Sequence, residues 1–189
     1  TSIGLKIPIQ KLKILKKKCR SKLALDATAS IGLEQGHEYS DVSAFSSCKG
    51  LFGLTGASFV VFNYKPQNEI LQFNLNLQTH LQKKMTGPYH AICSLNDVLK
   101  NYDDFRYSVI VNKKYCLKKM KDKLNYRLEN QPNLCTLVNA TIMKKDKKVI
   151  LYQSRGNISG SIICHLGEVH LKKKSKGTKG VGIGIIECF

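Results

Sequence analysis

Two charged residues follow short apolar runs in the first quarter of the sequence. Asp26 lies at the end of an apolar run over 23–27, and Lys49 comes three residues after a second run at 42–46. Such runs are typical of buried parallel strands, and open α/β sheets place ligand-binding groups at the carboxyl ends of their strands. We therefore expect Asp26 and Lys49 to be neighbours at one edge of a sheet, with the hydroxyl groups of Ser46 and Ser47 beside them.

A carboxylate, a lysine and small hydroxyl residues that face one cleft are the groups that pyridoxal phosphate requires. The lysine forms a Schiff base with the cofactor, the carboxylate keeps the pyridine nitrogen protonated, and hydroxyl and backbone N–H groups hold the phosphate. Taken singly, Asp26 is better explained as a turn residue and Lys49 as a solvated loop charge, so the prediction depends on their ordered context. The spacing Ser46-x-x-Lys49 also occurs in serine acylases, but the sequence lacks their Ser-Asp-Asn and Lys-Thr-Gly motifs.

Several short motifs follow one another over residues 1–111. They are Thr-Ser-x-Gly, a Pro-led helix, an apolar strand ending in Asp-Ala-x-x-Ser, then Ser-Ser-x-Lys-Gly, a glycine-rich loop and another apolar strand. This order resembles the second half of a class V, fold-type I aminotransferase that depends on pyridoxal 5'-phosphate. Within that family the sequence resembles the enzymes that act on 2-aminoethylphosphonate with pyruvate, alongside the serine/alanine–glyoxylate enzymes. The resemblance implies transfer of an amino group from a small amino compound to a 2-oxo acid.

The resemblance also implies a role for each matching residue around the cofactor. Asp26 corresponds to the carboxylate that binds the pyridine nitrogen. Lys49 corresponds to the catalytic lysine, which bonds to the cofactor and then moves a proton as a general acid and base. Ser46 or Ser47 corresponds to the phosphate-binding serine, and Ser47 is the better match to the family's spacing.

Residues outside this central set extend the resemblance and also mark where it fails. Thr86 resembles a threonine that reaches the phosphate of the neighbouring subunit's cofactor, which implies a homodimer with shared active sites. Thr1 and Ser2 match the segment that lines the pocket. The stretch 161–167 corresponds to a strand in which the family has a carboxylate-binding arginine, but it contains none. His165 is only a partial substitute, because imidazole lacks the bidentate fork of a guanidinium.

The family's first half supplies the turn that cradles the phosphate and the aromatic ring that stacks on the pyridine. No counterpart is visible in this sequence, so we expect an isolated copy of the chain to bind the cofactor poorly.

The hydrophobic pattern predicts an α/β chain in two parts. Residues 1–88 are expected to form the rear part of a pyridoxal-phosphate-binding large domain, and residues 89–189 a small α+β domain. Predicted helices cover about 8–18, 90–102 and 113–129, with a further short one at 149–154. Predicted strands cover 23–27, 42–46, 58–62, 105–111, 134–142 and 161–166, with one exposed strand at 70–77 inside a polar connector.

The charge of the chain leaves a second class of function open. The sequence has 31 Lys and Arg against 13 Asp and Glu, a formal net charge of +18. Such a surface attracts polyanions, so a non-catalytic nucleic-acid-binding protein, or an inactive aminotransferase remnant, are the alternative functions. The excess is nearly all lysine and is spread along the chain, which favours solvated faces over a dedicated nucleic-acid groove.

Cysteine use and hydropathy indicate the compartment. The seven cysteines form no C-x-x-C pair, which argues against a zinc ribbon or a secreted disulfide framework and predicts thiols in a reducing environment. No apolar run approaches the length of about 18 residues that spans a bilayer, and no secretory signal is readable at the N-terminus. We expect a cytoplasmic protein without membrane or metal partners.

Overall fold

The computed structural model describes residues 4–64, 67, 70–124, 130–140 and 160–166. They form a three-stranded sheet, a two-stranded sheet and four α-helices, joined by four short 3-10 turns. In chain order these are α1 (Ile9–Cys19), β1 (Ala24–Asp26), β2 (Val42–Ser46), β3 (Ser58–Phe62), α2 (Leu77–Gln82), α3 (Tyr89–Leu99), α4 (Tyr102–Lys119), β4 (Cys135–Val138) and β5 (Ser161–Cys164). The 3-10 turns are His37–Tyr39, Lys49–Leu51, Phe73–Leu75 and Lys121–Lys123.

The first sheet has the strand order β1-β2-β3, so β1 lies at its edge in the described part of the chain. Strand β1 runs parallel to β2, with Asp26 opposite Ala44, whereas β3 is antiparallel to β2. The predicted strands at 42–46 and 58–62 are confirmed with the same bounds, and the strand at 23–27 is confirmed in its place and direction. Its expected complete burial is wrong, because Ala24 and Asp26 are exposed on this edge strand.

The predicted helix at 8–18 is confirmed as α1. Pro8 occupies the N-cap position, where its missing N–H costs nothing because the first N–H groups of a helix have no partner within it. Lys16, Lys17 and Lys18 form the last turn, where cations are favoured by the helix dipole. The helix ends at Cys19, and the C-cap residue Arg20 has a left-handed backbone and donates its N–H to carbonyls of the last turn.

Helix α4 covers residues that the sequence divided between a predicted strand and a predicted helix. The strand expected at 105–111 is wrong, because these residues lie in the middle of α4, which begins at Tyr102. Aromatic and β-branched residues favour strands locally, but Val109 is fully buried and Phe105 packs against the same hydrophobic cluster, so tertiary packing decides the conformation. The helix expected at 113–129 is confirmed only to Lys119, and residues 125–129 lie outside the described part.

The connector before α3 contains no strand in its described residues. The strand expected at 70–77 is wrong, because a 3-10 turn and the start of α2 occupy this stretch. The Asn76 side chain accepts a hydrogen bond from the Thr79 N–H at 3.0 Å and so caps α2. The helix predicted at 90–102 is confirmed as α3, which begins one residue earlier and ends at Leu99.

The second sheet pairs β4 and β5 in antiparallel register, with Cys135 opposite Cys164. The strands predicted at 134–142 and 161–166 are confirmed as the shorter β4 and β5, whereas the helix expected at 149–154 lies outside the described residues. Helix α4 packs on this sheet through Cys116, Val138 and Ile163. A separate hydrophobic cluster joins residues on both sides of position 88, and the domain boundary placed there stays a prediction. The members of this cluster are Ala29, Leu33, Phe52, Val109 and Leu134.

The helices and cysteines of the described residues are the features that concern the expected compartment. Of the helices in the described ranges, none is long and apolar enough to cross a bilayer. Of the six cysteines in the described ranges, Cys19 and Cys93 are exposed, whereas Cys116, Cys135 and Cys164 are buried. A cytoplasmic location stays a prediction.

Candidate functional site

Asp26 and Lys49 lie at the same end of the three-stranded sheet, the end at which β1 and β2 terminate. Asp26 is the last residue of β1, and Lys49 opens the 3-10 turn that follows β2. Since β1 and β2 are parallel, their carboxyl ends point the same way. The loops after the two strands are also joined directly, because the Gly50 N–H donates to the Thr28 carbonyl at 3.4 Å. The neighbourhood expected from the sequence is therefore present.

The Asp26 carboxylate is held in its charged form. Its Oδ1 accepts a hydrogen bond from the Thr28 backbone N–H at 3.0 Å. This backbone bond is the main reason that the pKa of Asp26 lies below its ordinary value of 3.8, and the Thr28 side chain and the positive charge of Lys49 lower it further. Partial burial raises the pKa of Asp26, but this effect is smaller than the combined lowering by the other groups. Asp26 is thus an anion at neutral pH that senses the charge of Lys49.

Lys49 has an unusual backbone conformation for a residue with a side chain. Its φ is 50°, in the left-handed region where Cβ is crowded, and the same loop places Phe52 at φ 61°. Such conformations cost of the order of 1–3 kcal/mol each and persist only where the surroundings hold them. They are concentrated at functional sites, so the strain at Lys49 is a second observation that favours a functional role for this residue.

Ser47 is one of the groups that hold this loop. It is fully buried, and its hydroxyl donates to the Leu54 carbonyl and accepts from the Ala57 N–H at 3.3 Å. Its backbone N–H donates to the Ala57 carbonyl at 2.9 Å, and its carbonyl accepts from the Gly53 N–H at 2.9 Å. The Ser47 side chain therefore links the two ends of the loop by buried hydrogen bonds to Leu54 and Ala57.

Ser46 is more accessible than Ser47. Its Oγ lies 2.9 Å from the Cys48 Sγ, and the residue is only partly buried at the carboxyl end of β2. The two serines are adjacent in sequence, but their side chains have different surroundings. Their assignment to a phosphate stays a prediction, and the partly exposed Ser46 hydroxyl fits that role better than the buried hydroxyl of Ser47.

Gly50 explains why the residue after Lys49 has no side chain. A Cβ on Gly50 would lie 2.3 Å from the Ile31 carbonyl oxygen, which is closer than real contacts allow. Its own carbonyl accepts a hydrogen bond from the Tyr102 hydroxyl at 2.9 Å. Tyr102 comes from α4 and is separated by 52 positions from Gly50, so no local sequence pattern could have indicated it.

Thr86 and the first two residues are not brought to this site by the described contacts. Thr86 is exposed in the segment before α3. Thr1 and Ser2 lie outside the described residues. The expectation that Thr86 reaches the cofactor of a second subunit stays a prediction, as does the homodimer it implies.

His165 is a buried residue next to β5. Its Nε2 lies 2.8 Å from the Thr136 Oγ1, and its carbonyl accepts from the Asn112 side chain at 3.0 Å. Burial, together with the smaller effect of the positive charge of Lys113, lowers the pKa of His165 to about 3. The imidazole is therefore neutral and already hydrogen-bonded, which is unfavourable for binding a substrate carboxylate.

An open cavity of about 1010 Å³ lies between α1 and the loop after β1. Asp26, Ser30, Glu34 and Arg106 are among the residues on its walls, whereas Lys49 is not among the described residues that line it. Arg106 belongs to the part of α4 for which the sequence predicted a strand, and its place on this wall was not foreseen. The cavity reaches one of the two charged residues of the candidate site.

Comparison with solved structures shows what fold this arrangement belongs to. The alanine–glyoxylate aminotransferase of Nostoc sp. superimposes with a TM-score of 0.60 at 18% identity over 74% of this chain. The ureidoglycine–glyoxylate aminotransferase of Bacillus subtilis gives a TM-score of 0.55 at 15% identity, also over 74%. The fold is that of part of a fold-type I pyridoxal-phosphate transferase.

The likeness is one of fold, and it is partial. The chain spans 44% of the Nostoc structure and 43% of the Bacillus structure, less than half of either. Neither a protein-family model nor a curated protein matches the sequence.

Proposed function

We propose that this chain carries the cofactor lysine of a pyridoxal-phosphate-dependent aminotransferase. The observation that supports this most is the position of an ionised Asp26 near Lys49 at the carboxyl ends of parallel strands, with Lys49 in a left-handed backbone. The names of the two similar structures support the same class of reaction. The proposal extends from the fold to an activity through these two residues.

The residues present fit the cofactor. An aspartate whose pKa is lowered can hold a proton on the pyridine nitrogen by charge, and the two loops keep Asp26 and Lys49 beside each other. Lys49 would bond to the cofactor and carry the proton, while Ser46 would contact the phosphate. The cofactor supplies an electron sink for the bonds at the substrate carbon.

Substrate and assembly are the finer parts of the proposal. A small amino compound would donate the amino group to a 2-oxo acid, and 2-aminoethylphosphonate with pyruvate is the pair that the sequence resemblance suggests. Glyoxylate is a second acceptor to test, because both similar structures are named for it. A homodimer in which Thr86 reaches the partner's cofactor would give this exposed residue a function. His165 is not included, because it is buried and neutral.

Covalent labelling tests the cofactor role of Lys49. The full-length natural protein is incubated with pyridoxal 5'-phosphate, reduced with borohydride and mapped by peptide mass spectrometry. We expect the adduct on Lys49 and its loss in Lys49→Arg, which keeps the charge. Lys100→Arg is the matched control, since Lys100 is an exposed lysine paired with Asp97 at 2.8 Å. An adduct spread over exposed lysines, with none on Lys49, would reject the proposal.

Asp26→Asn separates cofactor binding from chemistry. A neutral amide cannot hold the pyridinium proton, so we expect the Lys49 adduct to persist while amino-group exchange with the amino donor becomes far slower. Single-turnover absorbance changes would measure this exchange. An unchanged rate would exclude Asp26 from the proposed role.

A further inference from the structure

Tyr102 connects the start of α4 to the loop that carries Lys49. Its hydroxyl donates to the Gly50 carbonyl at 2.9 Å, and its ring centroid lies 5.4 Å from that of Phe52 in the same loop. The hydroxyl is closely packed, because a Cβ on Gly32 would lie 1.7 Å from it. Burial raises the pKa of Tyr102 to about 12, so the hydroxyl stays protonated and able to donate across the physiological range.

Gly50 is held on both sides of its Cα. Its N–H, in the peptide that follows Lys49, donates to the Thr28 carbonyl, and its C=O, in the next peptide, accepts from Tyr102. These two bonds fix the chain immediately after the strained Lys49 residue. Thr28 also donates its own N–H to Asp26. One continuous set of contacts therefore runs from the Asp26 carboxylate to Tyr102 on α4.

We propose that Tyr102 is a positioning residue that, through Gly50, holds the left-handed backbone of Lys49 and so directs its amino group toward the site it shares with Asp26. This inference rests on the proposed function for the role of Lys49. It assigns to α4, an element with no place in the sequence-derived site, the task of keeping the cofactor lysine in its strained conformation. Without the hydroxyl, the buried Gly50 carbonyl loses a partner and the strain at Lys49 has less to oppose it.

Tyr102→Phe is the variant that tests this, because it keeps the ring and removes only the hydroxyl. Tyr107→Phe is the matched control, since Tyr107 lies on the same helix with its side chain exposed. The first readout needs no cofactor: hydrogen exchange at the amides of Phe52 and Gly53, which bond to the Lys49 and Ser47 carbonyls. We expect about tenfold faster exchange there, the effect of one lost hydrogen bond, with β4 amides unchanged.

The second readout concerns Lys49 itself. In Tyr102→Phe we expect slower formation of the pyridoxal-phosphate adduct on Lys49 and a shifted pH midpoint of its absorbance band, since the amino group is no longer directed by a fixed backbone. Tyr107→Phe should behave like the natural protein in both respects. A purely structural tyrosine would lower overall stability without moving the pH midpoint.

The outcomes separate this inference from the function on which it rests. If the natural protein forms no Lys49 adduct, the proposed function fails and the positioning role fails with it, even if the exchange data show the restraint on the loop. If the natural protein forms the adduct, and Tyr102→Phe forms it at the same rate with the same pH midpoint, only the Tyr102 inference is overturned. Unchanged exchange at Phe52 and Gly53 would overturn it as well.

Discussion

The buried imidazole of His165 predicts how the stability of this protein depends on pH. The side chain is 1% exposed and bonded to Thr136, so protonation would place a charge in the interior close to the Lys113 ammonium. The pKa of His165 is lowered by this burial from 6.5 to about 3. Over most of the acid range the folded protein therefore keeps His165 neutral, whereas the unfolded chain binds a proton there.

The magnitude follows from proton linkage. Below the unfolded pKa, each pH unit lowers the free energy of unfolding by about 1.4 kcal/mol for a group that charges only when unfolded. From pH 7 to pH 5 the contribution of His165 integrates to a loss of about 2 kcal/mol. The loss continues as pH falls and levels off near the folded pKa of about 3. Asp26 and Asp41 have folded pKa values below 3.8, so their protonation lowers the free energy of unfolding only as the pH falls toward and below that value.

Urea unfolding of the natural protein and of His165→Gln at pH 7, 6 and 5 measures this contribution. Glutamine can still hydrogen-bond Thr136 but does not titrate, so the loss of stability between pH 7 and 5 should be about 2 kcal/mol smaller in the variant. His90→Gln, at an exposed position of α3, controls for removing an imidazole. If natural protein and His165→Gln lose the same stability over this range, His165 is not a neutral buried group in the folded state.

The Lys49 loop and the lysine-rich surface give three further expectations. Ser47→Ala should lower the free energy of unfolding by about 1–3 kcal/mol, because it removes a buried hydroxyl with several hydrogen-bond partners. Ser46→Ala should lower it clearly less, and equal losses in urea unfolding would contradict this expectation. Gly50→Ala should cost about 1–3 kcal/mol through its clash with the Ile31 carbonyl. Gly87→Ala is the control, because a Cβ there would meet only the Ile92 side chain at 4.0 Å, an ordinary contact. DNA binding should be weak and nonspecific, and submicromolar affinity at about 150 mM salt would instead support the nucleic-acid alternative.

The placement of the charged pair could be predicted because it depends on local patterns. The runs at 42–46 and 58–62 are apolar segments of strand length followed or preceded by polar and glycine-rich loops, and β2 and β3 have those bounds. Parallel pairing of β1 with β2 then brings Asp26 and Lys49 to one edge. The burial of β1 could not be predicted, because apolar composition does not reveal which strand lies at an edge.

The supports of the site could not be predicted because they depend on contacts between distant residues. Residues 105–111 have strand-forming side chains, but they lie in a helix whose Phe105 and Val109 pack with Phe52 in one hydrophobic cluster. Because this helix was not predicted, the contact of its first residue, Tyr102, with the Lys49 loop could not be predicted either. Likewise, the spacing from Lys49 favoured Ser47 over Ser46, whereas burial of the Ser47 hydroxyl shows that it is already used within the loop.

The candidate site is a single unit rather than two separate charged residues, because both depend on Thr28. The Thr28 N–H donates to the Asp26 carboxylate and is the main cause of its lowered pKa, while the Thr28 carbonyl accepts from the Gly50 N–H next to Lys49. A displacement of the loop after β1 would therefore raise the pKa of Asp26, and it would also break the hydrogen bond from Gly50 that holds the chain next to Lys49. Since Gly50 also contacts Tyr102, the same displacement would be resisted by α4. The ionised carboxylate and the strained lysine are coupled through one residue, Thr28, which is why a change in either loop is expected to affect both.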